Sequence, residues 1–164
     1  MIELVADTNI IYSALLTRGK IRSLILLRGN IRLHTPAELR EELYKHTPKL
    51  QRYLELTRGE VQSLIDNLLE ETTILHNKNE YKGQIQRARE IVEKVDPEDT
   101  PFIALAMHLG IPLWTGDKEL IKLAVRTEFQ HFKALDTRGV EMLLEGKPWR
   151  EVEEYLKREY GEGG

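Results

Sequence analysis

The chain predicts an α/β fold organised on a mostly parallel central sheet. Three features of the sequence predict it. Short apolar runs alternate with longer stretches whose apolar residues recur at helical spacing, the pattern of strands separated by crossover helices. Several runs close on turn residues, as at Asp7-Thr8-Asn9, Thr35-Pro36 and Thr115-Gly116-Asp117, where a strand hands over to a helix. The third is size: 164 residues with 41% apolar and 31% charged side chains suit one globular domain that buries a core without disulfides or a structural metal.

Residues 2–6 read as the opening strand, and helical spacing resumes over 10–16 after a polar turn, the first half of a βαβ unit. Ile21, Leu24, Ile25 and Leu27 predict a second short helix, stopped by Gly29-Asn30. Residues 31–34 form the second strand. Thr35 is expected to cap the helix that follows, with Pro36 in its first turn. From 37 to 95 the pattern is almost entirely helical. One arm carries Leu39, Leu43, Leu50, Tyr53 and Leu54, and the next carries Val61, Leu64, Ile65, Leu68 and Leu69. Thr57-Arg58-Gly59-Glu60 separates them in the form of a capping box. Residues 72–75 are a candidate third strand and 84–95 a further helix. The turn at 96–101 starts a strongly apolar helix over 102–109, which Gly110 ends. A strand at 111–115, a helix at 119–125 and a last strand at 132–135 follow, then helices at 140–144 and 149–160. No repeat, linker or low-complexity segment intervenes. Residues 1–164 therefore read as a single domain, with a helical insertion at about 47–95 and a helical C-terminal extension at about 137–160.

Composition excludes several classes of function. There is no cysteine, and the five histidines have no zinc-ligand spacing, so a zinc site of the usual kind is not expected. No apolar run approaches the roughly 18–20 residues that span a bilayer. The first residues carry no basic region ahead of an apolar core, so the reading is a cytoplasmic protein with no membrane partner. The formal net charge of −3 offers nucleic acid no bulk attraction; a polyanion would need a local basic patch or a bridging metal.

The chemistry lies in the acids. Asp7 follows the first strand, Asp117 follows the strand at 111–115, and Asp99 opens the helix that precedes that strand. Ligands of open parallel sheets bind beyond the carboxyl ends of the strands, and all three aspartates belong to that edge. Helical phase adds a fourth acid. With Leu39 and Leu43 as the core stripe, Glu42 stands about 60° from Leu39, at the border of the stripe, while Glu41 stands about 160° away, toward solvent. Glu38, one turn before Glu42, is a candidate supporting residue. Gathered carboxylates repel one another unless a cation sits among them. Mg²⁺ or Mn²⁺ suits such hard, all-oxygen donors and would activate water for attack on a phosphodiester. Thr8, Asn9 and Thr115 are placed to orient the carboxylates or the water. Each aspartate alone is equally a helix cap; their coincidence on one sheet edge singles them out.

These motifs resemble the PIN-domain family of ribonucleases. Val5-Ala6-Asp7-Thr8-Asn9-Ile10 is similar to the family's N-terminal motif, and PAELREELYKH, residues 36–46, to its second, which again selects Glu42, with Glu41 as the register alternative. DTPFIALAMHLGIPLWTGD is similar to the third and fourth, ending on Asp99 and Asp117. The resemblance covers residues 2 to about 136, and the segment 97–121 is its most specific part. It implies a three-layer α/β/α sandwich with a five-stranded sheet, and Mg²⁺- or Mn²⁺-dependent cleavage of single-stranded RNA. In those terms Asp7, Glu42, Asp99 and Asp117 are catalytic and metal-ligating. It further implies a homodimer and, for many members, a toxin role with a protein antitoxin, although the long helical stretch at 47–95 departs from the compact toxin pattern.

Candidate RNA contacts are Lys118 and Lys122 after Asp117, and Arg18, Lys20 and Arg22 after the first helix; each is also an ordinary solvated cation. Tyr12 is placed either to stack on a base or to pack in the core. Trp114 belongs to the core, and Trp149 docks the last helix. The alternative function is a catalytically silent RNA- or protein-binding module on the same fold. A nucleotide-binding enzyme lacks its glycine loops here, and an aspartyl-phosphate phosphatase would want an aspartate where Asn9 stands.

Overall fold

The computed structural model describes residues 1–16, 19–26, 30–93, 96–126 and 132–161. Its strands are β1 (Ile2–Ala6), β2 (Ile31–Pro36), β3 (Thr73–His76), β4 (Leu113–Trp114) and β5 (Ala134–Leu135). They form one parallel sheet in the order β3-β2-β1-β4-β5. The chain winds outward from β1 to β3, then crosses back to β4 on the other side of β1. Direction therefore reverses between β1 and β4, where an open α/β sheet has its crevice.

Between β1 and β2 lie α1 (Thr8–Leu16) and α2 (Lys20–Leu26). Three helices, α3 (Leu39–Lys45), α4 (Thr47–Leu54) and α5 (Arg58–Thr72), link β2 to β3 and pack with α1. The return to β4 runs through α6 (Lys78–Tyr81), a 3-10 turn, α7 (Ile85–Val92), a second 3-10 turn at Pro97–Asp99, and α8 (Thr100–Leu109). That last helix lies against β1, β2 and β4, with α6 and α7 packed on it. Beyond β4 come α9 (Lys118–Ala124), then α10 (Thr137–Leu144) and α11 (Trp149–Tyr160) after β5. Right-handed crossovers put the two helical groups on opposite faces of the sheet, giving three layers. Among the described residues, no helix is long and apolar enough to cross a membrane.

Burial explains the layering. Leu4, Val5, Leu33, Ile103, Leu113, Trp114 and Leu135 are wholly buried, since a parallel sheet covered on both faces needs apolar residues on both. Trp114 keeps its indole N–H satisfied by donating to Thr137 Oγ1 at 3.1 Å. Local capping signals act as expected: Thr57 and Glu60 close a reciprocal capping box at the start of α5, at 2.9 and 3.2 Å. Gly110 ends α8 in the left-handed region, at φ 68°.

Several expectations need correction. Thr35 and Pro36 do not start a helix; they are the last rungs of β2, paired with Leu75 and His76 of β3. At the strand's end the missing proline N–H interrupts little of the ladder, and Ala37 N carries it on by donating to His76 O at 2.8 Å. The first helical arm is two helices, broken at His46 (φ −90°, ψ 4°). That break resets the helical phase, so Tyr53 stands 61% exposed instead of joining Leu39, Leu43 and Leu50 in the core. The helix expected over 84–95 runs over Ile85–Val92, and its positions 94 and 95 lie outside the described residues. The strands at 111–115 and 132–135 are shorter than expected, although Thr115 N still donates to Leu135 O at 3.1 Å. Unexpected altogether is a polar chain across three strands. Glu3 Oε1 meets His34 Nε2 at 2.9 Å, His34 Nδ1 meets His76 Nε2 at 2.8 Å, and His76 Nδ1 faces Glu80 at 3.3 Å. The hydrogen bond from His34 holds the Glu3 carboxyl below its usual range.

Candidate active site

Asp7 leaves the carboxyl end of β1 at the reversal point. Its backbone N–H donates to Trp114 O at 3.3 Å, tying it to β4. The side chain is only 6% exposed. Oδ1 accepts from Ile10 N at 2.9 Å, so the helix-capping role of this aspartate is real, while Oδ2 accepts the Thr115 hydroxyl at 2.5 Å. Burial pushes the carboxyl above its usual range; the two hydrogen bonds oppose that, and Asp117 adds to it.

Thr115 is wholly buried and joins two of the acids. While donating to Asp7, its Oγ1 accepts from Asp117 N at 3.0 Å. Asp117 in turn caps α9, its Oδ1 accepting from Glu119 N at 2.9 Å and Leu120 N at 3.4 Å. Asp99 is different. It precedes α8 in the capping position but makes no capping hydrogen bond, so its carboxylate is left facing the cleft. Burial pushes it up to about 7, with Asp96, Asp7, Asp117 and Glu98 adding repulsion. Asp7, Asp99 and Asp117 thus share one electrostatic neighbourhood.

A cleft of about 980 Å³ opens beside Asp7, lined by Asp7, Asp99, Glu38 and Glu42 together with Thr8 and Asn9; Asp117 and Thr115 adjoin Asp7 but are not among its lining residues. Glu42 sits on α3, half-exposed, with Lys45 at 3.2 Å; Glu41 is not among the lining residues. Glu38 accepts the Tyr81 hydroxyl at 3.0 and 3.2 Å through its two oxygens. Among the described residues, no three histidine or acidic side chains already converge closely enough to hold an ion. The donors are nevertheless all oxygen, and desolvation disfavours the charged forms of Asp7 and Asp99, which a divalent cation would stabilise. In chemistry the set fits a hard cation.

The basic residues fall elsewhere. Lys118, Lys122, Lys20 and Arg22 do not line the cleft; Lys122 pairs with Glu119 and Lys20 with Glu141, and Arg18 lies outside the described residues. Among the described residues, the permanent cations that line the cleft are Lys78 and Arg89, from α6 and α7. The wall over Asp7 is built by a segment about 70 residues downstream. Tyr12 does pack, its ring 5.0 Å from that of His46 with Lys49 5.8 Å above it.

Comparison with known proteins bears on family and fold. A family model described as PIN domain matches residues 5–157. The fold is similar to a chain in the crystal structure of VapBC2 from Rickettsia felis bound to a DNA fragment from their promoter. That likeness has a TM-score of 0.57 and 17% identity, covering 83% of this chain and 98% of that one, and it speaks for the fold. No curated protein matches significantly.

Proposed function

The chain belongs to the PIN domain family, and from that premise we propose that it is a metal-dependent endoribonuclease hydrolysing phosphodiester bonds of single-stranded RNA. The observation that carries the reading is the buried Asp7 at the sheet's reversal point, electrostatically coupled to Asp99 and Asp117. Asp7, Asp99, Asp117 and Glu42 are the residues to hold Mg²⁺ or Mn²⁺. Such an ion, when bound, supplies an activated water and stabilises the departing oxygen. Mg²⁺ keeps several of its waters and takes few carboxylates directly, which suits acids that do not themselves meet at one point.

The chain's own residues do the positioning. Thr115 holds one oxygen of Asp7 and the backbone N–H of Asp117, so one hydroxyl links the two acids. Tyr81 fixes Glu38 at the cleft wall. Asp99, raised to about 7, carries a proton near neutrality without metal and gives it up to a cation. A finer reading, the toxin of a toxin–antitoxin pair with a protein antitoxin and a homodimeric state, draws support from the fold likeness to VapBC2. The long helical stretch at 47–95 is its point of departure.

Incubation of the purified protein with single-stranded RNA and Mn²⁺, beside the Asp7→Asn protein and a chelated control, tests the proposal. Cleavage by the parent alone is expected. A folded parent that binds RNA without cutting it would instead establish the silent binding module, and equal cleavage by Asp7→Asn would refute the site.

A further inference from the structure

The cleft is lopsided in charge. Among its described lining residues are eight carboxylates and two permanent cations, Lys78 and Arg89. Both cations stand on one wall, the segment running from α6 through the 3-10 turn into α7. The lining positions there are Lys78 and Tyr81 from α6, and Ile85, Gln86, Arg89, Glu90, Val92 and Glu93 from α7 and its end. The wall is apolar or aromatic at 81, 85 and 92, and cationic in the first turn of α6 and the last turn of α7. Both cations are exposed, and among the described residues neither forms an ion pair.

We propose that Lys78 and Arg89 form the phosphate-binding edge of the cleft and align single-stranded RNA across the acids by backbone contact. The inference rests on the nuclease reading and adds the surface that holds the substrate. A divalent ion offsets negative charge only where it sits. The rest of a strand entering an acidic cleft needs cations at a distance from the metal, and among the described residues these are the two that line it. Phosphate contacts of this kind position the chain without reading its sequence. The apolar Ile85 between them gives a base a place to rest. Lys118, Lys122, Lys20 and Arg22 do not line the cleft and are given no share in this edge.

The test measures cleavage of a short single-stranded RNA with Mn²⁺ at several salt concentrations, in the parent, Lys78→Gln, Arg89→Gln, Arg89→Lys, Lys118→Gln and Arg158→Gln. For Lys78→Gln and Arg89→Gln, KM should rise several-fold with kcat retained. Each should also flatten the salt dependence by about 0.7 in log–log slope, the contribution of one phosphate contact on a single strand. Arg89→Lys should keep the parent slope, and stabilisation by Mn²⁺ should be unchanged in all, which a merely structural effect would not allow. Arg158→Gln, which removes the same charge from α11, should match the parent. If the parent cleaves but Lys78→Gln and Arg89→Gln keep its KM and slope, or if Lys118→Gln alone shifts them, the edge is wrongly placed while the nuclease reading stands. If a folded parent does not cleave RNA at all, the reading fails and this assignment falls with it.

Discussion

Replacing Asp99 with asparagine should make the metal-free protein more stable at pH 8 and leave it without nuclease activity. The magnitude follows from the site. Burial and the facing acids lift the Asp99 carboxyl from 3.8 to about 7, about three units, and each unit corresponds to ~1.4 kcal/mol. Asp99 is partly exposed, so solvent screening reduces the resulting ~4 kcal/mol to roughly 1–2 kcal/mol. The sign is that of a raised carboxyl: folded Asp99 keeps its proton where the unfolded chain has lost it. Stability is thus fully present below about pH 4 and is lost as pH rises from there to about 7. Asparagine cannot ionise and escapes the loss. Thermal melts in chelator at pH 4.5 and pH 8 should show the variant little changed in acid but raised by roughly 2–8 °C at pH 8. Adding Mn²⁺ should stabilise the parent and not the variant. An equal effect at both pH values, or a variant less stable at pH 8, would refute the claim that Asp99 is held against its own charge.

Two further substitutions probe the supports. Thr115→Val keeps the side chain's shape but removes the donor to Asp7 Oδ2 and the acceptor for Asp117 N. It should cost about 1–3 kcal/mol in a denaturant titration and weaken Mn²⁺ stabilisation, since burial then acts on Asp7 with less opposition; an unchanged midpoint would discount the link. Tyr81→Phe retains a wholly buried ring and loses only the bonds to Glu38. Stability should fall by less than about 1.5 kcal/mol while kcat drops several-fold, and a variant with full kcat would remove Tyr81 from the positioning of the acids.

Local signals proved legible and non-local ones did not. The capping box at Thr57 and Glu60, the glycine after α8 and the aspartates that begin α1 and α9 are chemistry between near neighbours, which the sequence displays directly. Glu42 was separable from Glu41 because helical phase is local too. Thr35 and Pro36 were misread because their partner strand lies some 40 residues on, and a strand's last rungs look like a helix start when the partner is unseen. The histidine chain through His34 and His76 is invisible for the same reason. Asn77 and Glu80 form a second capping box, at α6, whose spacing the sequence also displays. With α6 go Lys78 and Tyr81, whose presence over Asp7 depends on the return crossing from β3 to β4.

A third strand also ends in an aspartate. Asp136, after β5, accepts from Gly139 N at 2.8 Å and from the hydroxyls of Tyr155 and Tyr160 at 2.6 and 2.7 Å. Its lone pairs are committed to anchoring α10 and α11, whereas Asp99 beside the β1 crevice has no such obligation. The carboxyl rim of the sheet is therefore uneven: the acid after β5 is absorbed into architecture, and Asp99 beside the central crevice stays open. On the nuclease reading, the acid left free for an incoming polyanion is the one at the β1 crevice, while the acid after β5 holds the C-terminal helices in place.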